Sequence, residues 1–401
     1  TEPVSPLGIT WVAPALDHAS YQLGKRFGIH DLTVWPLMHF SNGYVFVRLR
    51  PTPKPKHIFG LYRALRDHAR SLETWPEMLA MYRQRVARLS QSAPETLSPR
   101  ELWQRAQDLL AAGTDYWNAV SMIIRAVLQR EGNFSKFYRR VQRSGDPAPE
   151  VVLRGHEMRP YEAECSIYAL AQSARDLGLA DLFTQTDSEP LAACAAHPGG
   201  AIFLAQFQAH LEAYGYQFSS IDPLMPTLSD DPQVVLLALR GYVQGQEAPS
   251  ARLARMTAER EAALAALETR LPSRKFRKLT ELLAQAREGA RERETAMFEF
   301  GLAWRAMRRD LRELERRLVA AEALTALDDI YFMTVEEIEA TVEALEARQT
   351  VAPLLTTVAQ RRADWESWQG LQPPTHLPEG SKPVWWWKYI TPIPEVAPQV
   401  E

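Results

Sequence analysis

The chain has 401 residues, 46% of them hydrophobic and 24% charged, the balance of a folded globular protein and not of a disordered one. Its formal net charge of −3 argues against a nucleic-acid binder, whose footprint is a basic excess. Two cysteines, Cys165 and Cys194, make neither a disulfide framework nor a zinc pattern, which points to a reducing, cytoplasmic setting. The most apolar stretch, near Ala119 to Leu128, is broken by Arg125 and too short to span a bilayer. No secretory signal is present. The chain begins at Thr1, so it reads as the ordered part of a longer polypeptide.

Residues 1–60 carry frequent Pro and Gly with short β-like runs, notably Tyr44 to Leu49, and read as loops and a small sheet. Pro51 to Pro55 holds three prolines and reads as an extended linker. From about Gly60 the spacing turns helical, over 61–92, 99–131, 134–143, 160–178, 190–214, 231–245, 250–269, 274–324, 334–347 and 354–370. Start signals support several of these. Ser98-Pro99-Arg100-Glu101 offers a capping serine, a proline at the first helical position and a glutamate at the third. Thr334-Val335-Glu336-Glu337 repeats the capping-box logic. The expected fold is mainly α, with a large helical domain over 61–372 behind the small β-containing N-terminal region. A Pro- and Trp-rich arm over 373–401, with Trp385-Trp386-Trp387, should be extended.

The longest pattern is proline-free from Ser273 to Val351. Met297, Phe300, Gly301, Trp304, Met307, Leu311, Leu314 and Leu318 recur at three and four, laying one apolar stripe along a helix of roughly fifty residues. Arg293, four residues before Met297, extends that stripe toward the core. A core-facing guanidinium needs a partner, either a buried carboxylate or a substrate anion.

Four segments in order resemble the central, substrate-binding domain of the phosphoenolpyruvate synthase-like phosphotransferases, of the rifampin phosphotransferase and phenylphosphate synthase type. Glu2 to Thr10 resembles the family's EPVTPLTWS opening, and Asn42 to Val47 its G-x-V-Y-x-N strand. Tyr214-Gly215-Tyr216-Gln217 with Ser229 to Pro232 resembles YGHRG followed by W-x-EDP. Arg293-Glu294 and the run Asp328 to Glu337 resemble its R-E-x-x-K helix and that helix's exit. The resemblance implies phosphoryl transfer in three parts. An ATP-grasp module loads phosphate from Mg-ATP, a swivelling domain carries it on histidine, and the central domain presents the acceptor. None of the nine histidines sits in a context like the family's phosphocarrier motif. Gly199-Gly200 lacks the Lys-Ser/Thr that a phosphate-cradling loop needs, and reads better as a turn opening the helix that runs to Tyr214. ATP and Mg are therefore expected in a partner domain or subunit, with no cofactor in this chain.

Phosphoryl-transfer catalysis is mostly positioning and electrostatic stabilisation, so the acceptor site should show as a pocket with cations. By the resemblance, Arg293 and Glu294 belong to it, with Met297 where the family has lysine. Tyr216 and Gln217 stand where the family has His and Arg. Three charged or titratable positions have become neutral, which suits an apolar acceptor or no catalysis at all. The loop Arg154 to Glu164 leads into a helix at the place of a family pocket loop, so His156 and Arg159 are substrate-binding candidates. The plainer reading of that loop is a helix start with capping acids. Trp304 joins the candidates, with Trp11 and Trp35, as an aromatic pocket wall, against the commoner role of plain core. No metal-ligand spacing appears among the histidines. The sequence thus supports an acceptor-binding part of a phosphotransferase, inactive alone, taking a small hydrophobic hydroxyl compound, phenols among them. The alternative is a non-catalytic helical scaffold of such a complex. The partners in either case are ATP-grasp and phospho-histidine proteins or domains, not nucleic acid or membrane.

Overall fold

A computed structural model describes residues 2–49, 54–155, 158–184 and 189–377. Helix dominates, and the sheet is a single hairpin near the N-terminus. The Pro- and Gly-rich opening is helical, where the sequence suggested loops. A π-type turn over Gly8–Val12 runs straight into α1 (Ala13–Phe27). Pro14 lies in the first turn of α1, where its missing N–H costs nothing, and Gly28 ends the helix with φ of 72°. β1 (Thr33–Ser41) and β2 (Tyr44–Leu49) pair antiparallel across Asn42-Gly43, both residues at positive φ as a tight hairpin turn requires.

The helices follow as α2 (Pro55–Leu89), α3 (Pro99–Val141), α4 (Pro149–Leu153), α5 (Arg159–Asp176), α6 (Ala180–Thr184) and α7 (Pro190–Ala195). Then come α8 (Gly200–Tyr214), α9 (Gln233–Val243), α10 (Pro249–Arg270), α11 (Ser273–Ala320), α12 (Val335–Glu346) and α13 (Leu355–Gln369). The segments 99–131 and 134–143 form the one helix α3, through Gly132-Asn133. The segment 190–214 is broken around Pro198, and Gly200 opens α8 because a Cβ there would run into the Cys194 carbonyl. Of the Pro-rich linker, residues 51–53 lie outside the described residues, as does the arm from residue 378 onward.

The chain divides into two compact units. The first comprises Thr1–Arg125, Ser220–Met225 and Leu302–Glu401, the second Ala126–Ser219 and Pro226–Gly301. In the first unit the apolar stripe of α11 is buried from Trp304 through Met307 and Leu311 to Leu318. The SPLG opening is anchored there: the Ser5 N–H and hydroxyl donate to the buried Asp222 carboxylate at 2.5 and 2.7 Å. The exit run is also structural. Ile330, Tyr331, Phe332 and Met333 are fully buried, and the Asp329 carboxylate accepts from the N–H groups of Thr325 and Ala326 and pairs with Arg362 at 2.7 Å. The second unit has two apolar cores. One joins α5 to α9 around Leu170, Phe183, Phe203 and Leu239. The other joins the end of α3, α4, α10 and the start of α11 around Phe134, Tyr138, Val152 and Leu279.

Candidate functional site

A polar cluster of the second unit is built on Arg159, the first residue of α5. Its guanidinium lies over the rings of Tyr214 and Phe298, at 4.9 and 5.6 Å from their centroids. Nη1 donates to Glu162 at 2.5 Å, and Nε stands 3.7 Å from Glu299 Oε1. Glu299 is 2% exposed and lies on α11 between Phe298 and Phe300. The Tyr216 hydroxyl donates to the same Glu299 oxygen at 3.2 Å. Three elements therefore supply the cluster: the start of α5, the YGYQ segment after α8, and α11.

Electrostatics follow from that packing. Burial opposes the Arg159 charge, but the hydrogen bonds to Glu162 and Tyr216 outweigh it and raise its pKa. Burial, and then the Glu299 charge, push the Tyr216 phenol up to about 12, so it stays a donor at neutral pH. The Arg159 side chain is 28% exposed, a fixed cation with an aromatic shelf on one side and water on the other.

Arg293 finds a carboxylate. Its Nη1 donates to both oxygens of Glu131 on α3, at 3.0 and 3.1 Å, and its Nη2 lies 3.3 Å from Glu294. Burial raises the Glu131 pKa against the pull of Arg293. Arg293 thus points into protein as the stripe suggests, though its side chain keeps 27% exposure. Met297 does not follow the stripe. It is 42% exposed, while Phe298 and Phe300 are buried. The buried face of α11 turns by one residue here, because Ala296, Phe298, Glu299 and Phe300 all face the second unit's packing.

Of the tryptophans, Trp304 is 1% exposed, with its Nε1 donating to the Ile221 carbonyl at 2.9 Å. Trp11 is buried against Trp103, ring centroids 4.8 Å apart. Both are core, the commoner role. Trp35 is 48% exposed on the hairpin, which also exposes Val45 and Val47. Ile58, Phe59 and Tyr62 are exposed on the first turns of α2. His156 lies outside the described residues.

The sequence pointed to Arg159 but not to Glu299, Glu162, Phe298 or Glu131. A signal for Glu299 was available: an acid between two phenylalanines on a helix can only be buried if a cation meets it. Glu131 gave no local sign, since its partner is 162 residues away. Among the described residues, no three His, Cys, Asp or Glu side chains group so as to hold a metal ion. No described helix is long and apolar enough to cross a membrane.

Residues 120–294 match the family model of the rifampicin phosphotransferase fourth domain. The match supports a domain of the phosphoenolpyruvate synthase-like phosphotransferase type over this stretch, and of the resembling segments Tyr214 to Pro232 and Arg293-Glu294 fall inside it. The match runs from within α3 to within α11 and contains Arg159, Tyr214, Tyr216 and Arg293. No curated protein matches the chain.

Proposed function

We propose that this chain is the acceptor-binding part of a dikinase-type phosphotransferase. It would receive phosphate from a phospho-histidine domain located elsewhere, onto a small hydrophobic hydroxyl compound, phenols included. The observation that carries the reading is Arg159, a half-buried cation held by Glu299 and Glu162 and laid on the Tyr214 and Phe298 rings. A phosphoryl group in transfer needs a fixed positive charge, and an aromatic acceptor needs an apolar face. ATP and Mg would act on the partner that loads the histidine.

A second reading, a non-catalytic scaffold, draws on a different observation. Arg293 is paired within the protein and Met297 replaces the family's lysine, so the helix motif offers no spare cation there. The test is calorimetry of the chain with a panel of phenols and their phosphate esters, on the wild type and Arg159→Met. Saturable binding that the substitution weakens supports the acceptor role. Absence of binding across the panel supports the scaffold.

A further inference from the structure

In the second unit α4 ends at Leu153, and the chain leaves it through Arg154 and Gly155, the latter at a φ of 73°. Two guanidiniums meet the carbonyls of that turn. Arg260 on α10 donates through Nη1 to the Gly155 oxygen, and to the Arg154 oxygen at 3.1 Å. Arg287 on α11 donates through Nη2 to the same Gly155 oxygen at 2.8 Å, and through Nη1 to that of Arg154 at 3.4 Å. Packing puts both arginines there. Leu264, four residues after Arg260, and Leu283, four before Arg287, share one apolar core with Val152 of α4. A Cβ on Gly155 would lie 2.9 Å from Arg260 Nη1, so the close approach needs glycine.

One guanidinium would satisfy both carbonyls. The second brings another full charge to the same oxygen, against repulsion. Burial, and then the Arg260 charge, lower the Arg287 pKa, the direction expected of a cation with no opposing charge beside it. Among the described residues, no carboxylate lies within 4.0 Å of Arg287, and Arg260 has Glu261 alone, 3.8 Å away. That glutamate is 68% exposed and screened by water, so it offsets little. The Nε of each arginine makes no hydrogen bond among the described residues and keeps contact with solvent, so donors remain for a ligand. The pair thus carries charge and N–H groups beyond what the turn uses. Two positive charges suit a dianion, and the planar forks of guanidinium match phosphate oxygens. We propose that Arg260 and Arg287 bind a phosphate group, free or carried as a monoester. The site lies wholly within the second unit and does not rest on the acceptor role of Arg159.

The probes are inorganic phosphate and phenyl phosphate, titrated into the full chain by calorimetry, with thermal melts in phosphate against sodium chloride of equal ionic strength. One-to-one saturable binding of inorganic phosphate is expected. The melting point should rise with phosphate beyond the chloride control, since a ligand held by the folded state alone stabilises it. Arg260→Gln and Arg287→Gln each keep an amide N–H for the carbonyls, and each should weaken binding about tenfold, the loss of one charge-assisted contact. Arg287→Lys keeps the charge without the fork and should bind between wild type and Arg287→Gln. Far-UV circular dichroism checks that all three variants fold. Arg159→Met should bind inorganic phosphate as the wild type does. In that background, tighter binding of phenyl phosphate marks a monoester as the occupant, and equal or weaker binding marks the free ion. The proposal is overturned by no saturable binding above the chloride control, by binding that both glutamine substitutions leave intact, or by binding lost only in Arg159→Met.

Discussion

Arg159 stands between two acids and two rings, so its removal should be felt in stability as well as in binding. Arg159→Met keeps apolar contact with Tyr214 and Phe298 but takes the nearby positive charge away from the buried Glu299, which still accepts from the Tyr216 hydroxyl. The 3.7 Å separation and the partial exposure of the arginine temper the loss, so ~1–3 kcal/mol of destabilisation is expected. Adding Glu299→Gln should recover part of it, which chemical denaturation of both singles and the double would read. Glu315 gives a second residue-scale prediction. It is fully buried, and burial raises its carboxyl from 4.5 to about 7, against the Ile330 N–H that it accepts. The folded state then holds a proton that the unfolded state has lost between pH 4.5 and 7, so this group's contribution falls as pH rises through that window. Glu315→Gln keeps the volume and an acceptor oxygen. Relative to wild type it should gain up to ~3 kcal/mol by pH 7 and nothing below pH 4.5, and equal pH profiles would refute the assignment. Residues of this kind were only half legible. The need of Arg293 for a carboxylate could be read from its place on the stripe, but not which carboxylate. Met297 was misplaced because hydrophobicity alone put it on the buried face, while the phenylalanines on either side of Glu299 took that face instead.

Elements were more legible, because caps and periodicity are local. The Thr334 capping box forms as its spacing requires: the Glu337 carboxylate accepts from the Thr334 N–H at 2.8 Å, and Thr334 Oγ1 accepts from the Glu337 N–H at 3.4 Å. Thr334→Ala should cost about 1 kcal/mol, and Glu337→Ala more, because Glu337 also pairs with Arg361 at 2.6 Å. A thermal melt showing no difference between the two would mean that the Arg361 pair contributes nothing. Gly301 was read as one more small residue on the stripe, and its role shows only in three dimensions. A Cβ there would collide with the Tyr216 carbonyl, so α11 passes directly against the YGYQ segment. Gly301→Ala should destabilise by ~1–3 kcal/mol and also loosen the Arg159 cluster, since Tyr216 would be displaced. The N-terminal helix escaped the sequence reading for a related reason. Its prolines and Gly8 look like loop punctuation, yet Gly8 is small because the Asp222 side chain lies against it. Such requirements belong to contacts far apart in sequence, Gly301 with Tyr216 and Gly8 with Asp222, and leave no periodic trace.

At the scale of the whole molecule the open question is whether the chain presents an acceptor or only holds partners together. The family match covers the stretch that carries Arg159 and Arg293, and in it Arg159 is bonded to Glu162 beside the Tyr214 and Phe298 rings while Arg293 is bonded to Glu131 and Glu294. If the chain presents the acceptor, mixing it with a phosphorylated histidine-carrier protein and a phenolic compound should yield a phosphate ester visible by 31P NMR. Arg159→Met should then cut the rate by at least about a hundredfold, the size expected when one electrostatic contact to the transferring group is removed. Arg293→Met should act differently. It strands a half-buried Glu131, so it should lower stability by ~1–3 kcal/mol and change the rate little once folded protein is compared. A scaffold predicts no ester with any variant, together with retained binding of the carrier protein by Arg159→Met. A large rate loss from Arg293→Met at unchanged stability, with little loss from Arg159→Met, would assign the phosphate-binding role to the Arg293 helix and remove it from Arg159.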